Sequence, residues 1–204
     1  ALDQLVTIQV AQAVRDVQRH KPQHLGTTLC QIEQERQCAL IHQWLETEKT
    51  RAPFTVVAIE EAHTIEFEGM SLNIRIDRVD QLADGRFLII DYKTGEASAN
   101  AWKGERPKEP QLPLYALVYP YAQDTQLTQD SLPIKGISFA QVNVNHQGFK
   151  GLGDADIAEG ITSIEKNRAN LPKDWQSALD HWQNTLRMLL NEFTQGHCAI
   201  HYHD

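Results

Sequence analysis

Little in this chain points to a disulfide-rich, membrane-spanning or repetitive protein. Its 204 residues include three cysteines, two methionines and 7% aromatics. Cys30, Cys38 and Cys198 are an odd set without Cys-x-x-Cys spacing, which argues against a disulfide framework or a zinc site and suits a reducing cytoplasm, the expected location. Buried free thiols are the natural reading, and Cys30 and Cys38 are near enough in helical phase to share a face. No apolar run approaches the roughly 18 residues of a membrane span, and no signal peptide or lipidation motif stands in the sequence, so no membrane partner is expected. Positive charge is also scarce: 19 Lys and Arg face 27 Asp and Glu, a net charge of -8. That is awkward for a nucleic-acid binder, because backbone affinity comes largely from cations that release counterions. With 41% hydrophobic and 23% charged residues, the composition fits one globular unit with a real core.

Against this background one stretch stands out, Ile74-Arg-Ile-Asp-Arg-Val-Asp80, Ala83-Asp-Gly85 and Leu88-Ile-Ile-Asp-Tyr-Lys-Thr-Gly95. Asp84-Gly85 between two apolar runs is a strong hairpin signal, since glycine supplies the positive φ of such a turn. A register centred on Asp84 sets Asp77 opposite Asp91, with Cβ atoms about 5 Å apart. Alternation along the strand puts Asp91 and Lys93 on one face and Leu88, Ile90 and Tyr92 on the other. At that spacing and an effective dielectric near 20, two carboxylates repel by roughly 3 kcal/mol, so the pair calls for a bound cation, a shared proton or the nearby Lys93. A hard Mg2+ or Mn2+ ion fits oxygen ligands best.

A third acid follows from Phe54-Thr-Val-Val-Ala-Ile-Glu60, a β-rich run joined by a turn at Glu68-Gly69-Met70 to the first arm of the hairpin. Pairing about that turn puts Glu60 opposite residue 78 or 79; Glu61 is the adjacent choice, and a one-residue slip would exchange their faces. The competing explanation is an ordinary surface salt bridge. Asp-x-Lys arises by chance about 0.7 times in a chain of about 200 residues, so the tripeptide alone says little. Acids at the ends of apolar strands say more, because they are costly there without a partner.

These residues resemble the PD-(D/E)xK nuclease superfamily, and within it the RecB- and AddB-type nuclease domains of bacterial recombination and repair machines. Asp77 matches the first metal acid in the Gly-x-x-Asp-Arg-(Ile/Val)-Asp motif, and Asp91 and Lys93 match the (D/E)xK pair within Asp-Tyr-Lys-(Ser/Thr). Gln111-Leu-Pro-Leu-Tyr115 matches the Gln-x-x-x-Tyr motif of this branch. The run from Glu48 to Tyr115 looks most like the proteobacterial AddB-like "probable DNA repair protein" group, and weaker similarity continues through Phe149-Lys-Gly151, Asp174-Trp175 and Glu192-Phe193 to Gly196. Two departures are visible. No Gly-x-x-x-His-x-x-Leu helix, whose histidine is a further metal ligand in the family, precedes Asp77. Of the cysteine cluster common in AddB-like members only Cys198 is nearby, so no iron-sulfur cluster is expected in this piece. Both gaps are as expected of a nuclease domain excised from a longer protein.

The resemblance implies an α/β (α+β mixed sheet) fold with a restriction-endonuclease-like core, a central mixed sheet flanked by helices. The expected organisation is a single domain over 1–204, with a helical lead-in over 1–50, a catalytic core over 54–145 and C-terminal helices over 155–196. It further implies a Mg2+- or Mn2+-dependent deoxyribonuclease, an exonuclease acting in repair and recombination, with DNA and a helicase subunit or domain as partners. Asp77 and Asp91 would be direct metal ligands, Glu60 a ligand or water-orienting group, and Lys93 would position the water or stabilise the charged phosphate. Gln111 and Tyr115 would contact the DNA backbone or the groups behind the ligands; simple helix packing is the alternative. Two other readings compete: a nuclease-like module that binds DNA ends or a helicase partner without cutting, and a retaining glycosidase, whose acids also lie about 5 Å apart but which leaves Lys93, Gln111 and Tyr115 idle.

Apolar periodicity predicts helices from Leu2 to Val17 and from Leu29 to Leu45, the second with a capping box at Thr28 and Gln31. Strands are expected near 54–60, 63–68, 72–81 and 86–93, then a polar loop from Gly95 to Pro110 beside the catalytic strand. Within that loop Trp102 is a candidate platform for an unpaired base, and Lys103, Arg106 and Lys108 form a short basic cluster for DNA; burial and solvation are the respective alternatives. A helix over 111–121 follows, its prolines in the first turn where they are tolerated, then a strand over 134–144, a loop over 148–160 and a final helix carrying Trp175, Trp182 and Phe193. Trp44, Trp175 and Trp182 are expected in the core. The terminal His201-Tyr-His203 is given no metal role.

Overall fold

A computed structural model of the protein describes residues 2–21, 23, 26–122, 134–167 and 171–197. Cys198, His201 and His203 lie outside the described residues. Two compact units are distinguished, one of residues 1–51 with 142–148 and one of residues 52–141 with 149–204. The first is built on α1 (Leu2–His20) and α2 (Thr27–Lys49). Val6, Val10 and Val14 recur at helical spacing and bury against Cys30, with Cys38, Ile41 and Leu45 packed around them. The two free thiols thus serve as small apolar side chains. The capping box does not form: Gly26 is the N-cap of α2, without a side-chain bond.

The second unit carries most of a six-stranded mixed sheet ordered β1-β2-β3-β4-β5-β6. Its strands are β1 (Phe54–Phe67), β2 (Met70–Leu82), β3 (Phe87–Lys93), β4 (Ile134–Val142), β5 (Gln147–Gly153) and β6 (Ile161–Ser163). β1, β2 and β3 form an antiparallel meander, whereas β3 pairs β4 and β5 pairs β6 in parallel. A parallel neighbour needs a crossover, and between β3 and β4 it contains a 3-10 turn (Ala99–Trp102) and α3 (Gln111–Ala122). The last helix, α4 (Trp175–Thr194), is capped by Asp174, whose carboxylate accepts from the Ser177 N–H at 2.8 Å.

Turn chemistry fixes the meander. Glu68 and Gly69 both have positive φ, 51° and 79°, the twist that joins Phe67 directly to Met70. Leu82 and Arg86 close a three-residue loop around Ala83-Asp84-Gly85, with Gly85 at φ 83°. From it run the pairs Gln81 with Phe87, Asp80 with Leu88, Val79 with Ile89 and Arg78 with Ile90, the register centred on Asp84. The Asp84 carboxylate is held down to about 2 from its ordinary 3.8, chiefly by a hydrogen bond from Lys135, with Arg86 adding to it.

The core lies between this sheet and helices α3 and α4. Ile76, Val79, Ile89, Ile137, Leu112 and Trp182 are sealed in it. Trp175 donates its indole N–H to the Ile134 carbonyl at 2.7 Å and Trp182 donates to the Trp102 carbonyl at 2.9 Å, so both ring N–H groups are satisfied where they are buried. Trp44 is buried as well. Among the described residues no helix is long and apolar enough to cross a membrane.

Two further sequence expectations are corrected. The 54–60 and 63–68 runs are one strand, β1, interrupted only by a register shift between Val56 and Ala58 and by Glu60 at φ 51°. The supposed loop over 148–160 contains β5, because its glycines answer a packing need: a Cβ on Gly151 would stand 2.6 Å from the Ile137 carbonyl oxygen of the adjacent strand. The helix expected over 111–121 is found as α3, which also accommodates Pro120 inside it.

Two outcomes follow. Gly160, at φ 82°, has no room for a Cβ, which would collide with the Phe149 carbonyl; Gly160→Ala should lower the urea unfolding free energy by about 3 kcal/mol. Because the Asp84 pKa is depressed on folding, its stabilising contribution is present above pH 4 and fades as pH falls toward 2. Urea midpoints measured from pH 5 to pH 2 should therefore fall less steeply for Asp84→Asn than for the parent chain.

Candidate active site

The site forms where the β2–β3 ladder ends. The ladder ends at the pair Arg78 and Ile90, and Asp77 and Asp91 are the next residues on the two strands, near enough that the charge of Asp77 acts on Asp91. Asp77 Oδ2 accepts the backbone N–H of Tyr92 at 2.8 Å, so the first acid is fixed to the backbone that carries the second. Asp91 is 5% exposed, because β3 is flanked by β2 on one side and by β4 on the other. Lys93, two residues on and on the same face, places Nζ 3.1 Å from Asp91 Oδ2. The contact pairs charges without hydrogen-bond alignment, and Asp91 Oδ2 has no hydrogen-bond partner among the described residues.

Burial pushes the Asp91 carboxyl above its usual range; Lys93 pulls the other way, and the charges of Asp77 and Glu109 add to the rise. Burial works against the Lys93 charge too, but Asp91 and Glu109 outweigh it and hold the ammonium above its usual pKa. Behind the acids, Gln111 donates to the Tyr115 hydroxyl at 2.7 Å and that hydroxyl donates to the Arg75 carbonyl at 2.7 Å. Gln111 and Tyr115 thus tie the first turns of α3 to β2, two residues before Asp77. Burial raises the Tyr115 pKa, and among the smaller causes are the charges of Asp91 and Asp77, which lie close to the hydroxyl.

Not every residue singled out from the sequence joins this cluster. Glu60 lies across from Asp77, between the pairs Ile59–Arg78 and Glu61–Ile76, and not opposite residue 78 or 79. Its left-handed φ breaks the alternation of the strand, and its exposed carboxylate is taken by Arg75 at 2.7 Å. No group of three or more His, Cys, Asp or Glu poised to hold a metal exists among the described residues, so Glu60 does not complete a ligand set with the two aspartates.

Trp102 is likewise corrected. It is wholly buried, its ring centroid 4.9 Å from that of Phe139 and tilted 36° to it, and offers no face to a base. Arg106 is ion-paired to Glu192 on α4, whereas Lys103 and Lys108 are exposed.

One site residue escaped the sequence reading. Glu109 places Oε2 3.1 Å from Lys93 Nζ, so the ammonium sits between two carboxylates. Glu109 closes the 95–110 segment, and its approach to Lys93 depends on how that segment folds, which no periodicity reports.

The donor set fits a hard divalent cation: two facing carboxylates, one with a buried oxygen lacking a hydrogen bond, and no sulfur. Two acids and a lysine thus gather at the open end of a hairpin, beside a sheet with a parallel crossover. The sequence model of the PD-(D/E)XK nuclease superfamily matches residues 1–204, and the chain belongs to that superfamily. Its six-stranded mixed sheet and four helices are the restriction-endonuclease-like fold. Membership implies nuclease hydrolase activity, in general with divalent metal ions and with DNA as the bound partner. No curated protein matches the chain.

Because burial and the neighbouring acids push the Asp91 pKa up, its ionised form disfavours folding, and Asp91→Asn should make the metal-free protein more stable at pH 7 by about 1 kcal/mol. Thermal unfolding in the presence of a chelator reads this directly; an equal or lower stability would contradict it.

Proposed function

We propose that the chain is a Mg2+- or Mn2+-dependent deoxyribonuclease of RecB/AddB type, an exonuclease that works in DNA repair and recombination beside a helicase subunit or domain, in the cytoplasm. The observation that carries this reading is the pairing of Asp77 with the buried, incompletely partnered Asp91 beside the Lys93 ammonium.

Asp77 and Asp91 would hold the cation. Bound there, it supplies Lewis acidity to activate water and neutralises charge at the scissile phosphate. Lys93 presents a fixed positive charge to the pentacovalent phosphate, where electrostatic stabilisation counts most because the site is partly shielded from water. Asp91, held by its strand, keeps Lys93 on the reacting face. Gln111 and Tyr115 set the distance between α3 and β2, and so the width of the cleft that receives the DNA backbone. Lys103 and Lys108 are the exposed cations of the neighbouring loop and contact phosphates there. Glu60 stands at the rim, paired with Arg75, and takes no ligand role in this reading.

The second reading is a nuclease-like module that binds DNA ends or a helicase partner without cutting. It is favoured by the lack of a third acid or histidine poised with the two aspartates among the described residues.

Calorimetric titration of Mg2+ and Mn2+ into the parent and Asp91→Ala proteins, with labelled single- and double-stranded DNA incubated in parallel, separates the two. The nuclease reading expects Asp91→Ala to lose both metal binding and cleavage, the latter by about a thousandfold. It expects Lys93→Ala to keep metal binding while cleavage drops by about two to three orders of magnitude. Metal binding without any cleavage by the parent chain would favour the non-cutting module, and an Asp91→Ala protein that cuts at the parent rate would overturn the assignment.

A further inference from the structure

We infer that Glu109 is a positioning residue for Lys93, a carboxylate built into the loop before α3 that holds the ammonium at the reacting face. The inference rests on the nuclease reading above and adds a residue that none of the motif positions contains.

Lys93 has a long, flexible stem, and a lysine half in solvent ordinarily samples many rotamers. Here three groups surround its head. Asp91 Oδ2 and Glu109 Oε2 each stand 3.1 Å from Nζ, and the Phe139 ring centroid lies 5.4 Å away. Asp91 and Phe139 sit on paired strands and cannot move independently. They contact the ammonium from within the sheet, while Glu109, 37% exposed, contacts it from the crossover segment.

Glu109 is itself held. Its backbone N–H donates to the Ala101 carbonyl at 3.3 Å, in the 3-10 turn. That turn is pinned by Trp102, which is fully buried, lies over Phe139 and accepts from Trp182. On its other side Pro110 immediately precedes α3, its carbonyl accepting from the Leu114 N–H at 3.0 Å. A carboxylate fixed at both ends of its backbone is a rigid support, and a rigid support is what a catalytic ammonium needs.

The assignment also gives the buried tryptophan a function. Trp102 binds no base; it anchors the turn to which Glu109 is tied. The two-carboxylate grip has a further consequence for a cation. Once Asp91 is engaged as a ligand its hold on Lys93 weakens, and Glu109 is then the acid that keeps the ammonium in place. Without Glu109, Lys93 would be least ordered when the site is loaded.

The test compares the full chain with Glu109→Gln and Glu109→Asp. Glu109→Gln keeps the shape and removes the charge; it should lower kcat at least tenfold while the KM for DNA and the calorimetric affinity for Mn2+ stay within about twofold of the parent values. Glu109→Asp, which restores the charge on a shorter stem, should recover part of the loss. A Glu109→Gln protein with parent kcat would overturn the inference, and so would a loss that follows Mn2+ affinity, since Glu109 would then act on the metal and not on Lys93.

A second measurement stands apart from activity. In protein labelled with 15N-lysine, the Lys93 ammonium protons should be visible at low temperature in the parent chain with Mn2+ replaced by Mg2+, and should vanish into solvent exchange in Glu109→Gln. If the parent chain cut no DNA, the nuclease reading would fail, and the ammonium signal would still decide whether Glu109 orders Lys93. An unchanged signal in Glu109→Gln would overturn the inference.

Discussion

A carboxylate placed on an inner strand of a sheet is the constraint around which the rest of this structure is arranged. Asp91 is 5% exposed, has one oxygen without a hydrogen bond, and feels the charge of a second acid, Asp77. Each of these conditions disfavours folding, since a buried charge loses hydration that only good partners restore. The neighbouring structure tolerates the arrangement because the β2–β3 register is set elsewhere, by the Leu82–Arg86 turn and by Val79, Ile89 and Leu88, all fully buried. Apolar pairing near the turn thus fixes polar groups at the open end, where apolar packing alone would never put them.

The same division of labour recurs around the site. Tyr115 reaches β2 by its hydroxyl only because Leu112, Ala116 and Tyr119 bury the rest of that face of α3. The polar segment from Gly95 to Pro110 has little apolar content of its own, yet Trp102 within it fills the core beside Phe139 and Trp182. One buried aromatic is enough to convert a long connection into a fixed lip. On the reverse face of the hairpin, Arg78 links Asp80, which is fully buried, to the Tyr92 hydroxyl at 2.9 Å. Tyr92 is also the residue whose N–H binds Asp77, so the two acids are braced from both faces of the sheet.

How much of this the sequence disclosed depends on the range of the interactions involved. The Asp84-Gly85 turn and the alternation of its arms are local, and from them the register centred on Asp84, from Gln81–Phe87 to Arg78–Ile90, could be read before any coordinates. The Gln111 and Tyr115 spacing was legible too, as one turn of helix. Glu60 failed because its left-handed backbone is decided by the meander and not by its neighbours in sequence. Trp102 failed because a tryptophan in a polar run reads as exposed unless the distant Trp182 and Phe139 are known to meet it. Glu109 was invisible for the same reason, and β5 was hidden because Gly151 and Gly153 look like loop residues when, with Gly136, they let β4 and β5 approach closely. Local geometry was readable; contacts that close over tens of residues were not.

Charge joins these observations to the chemistry of DNA. Asp77, Asp91 and Glu109 bring three negative charges to the immediate surroundings of Lys93, so with every acid ionised the cluster carries a net charge of -2. A phosphodiester approaching that cluster would be repelled, in a chain that already carries -8. Nearby arginines offer little relief, since Arg75 is committed to Glu60 and Arg106 to Glu192. Under the nuclease reading, a single divalent cation between Asp77 and Asp91 brings the cluster to neutrality, because its +2 cancels the -2. Asp77 and Asp91, once neutralised in this way, would no longer repel the entering phosphodiester. Binding of DNA and binding of metal become one linked equilibrium, in which each strengthens the other by the same factor. Under that reading an acidic nuclease domain is no contradiction, because affinity for the backbone would come at the site from the ion and along the rest of the strand from exposed lysines such as Lys103 and Lys108.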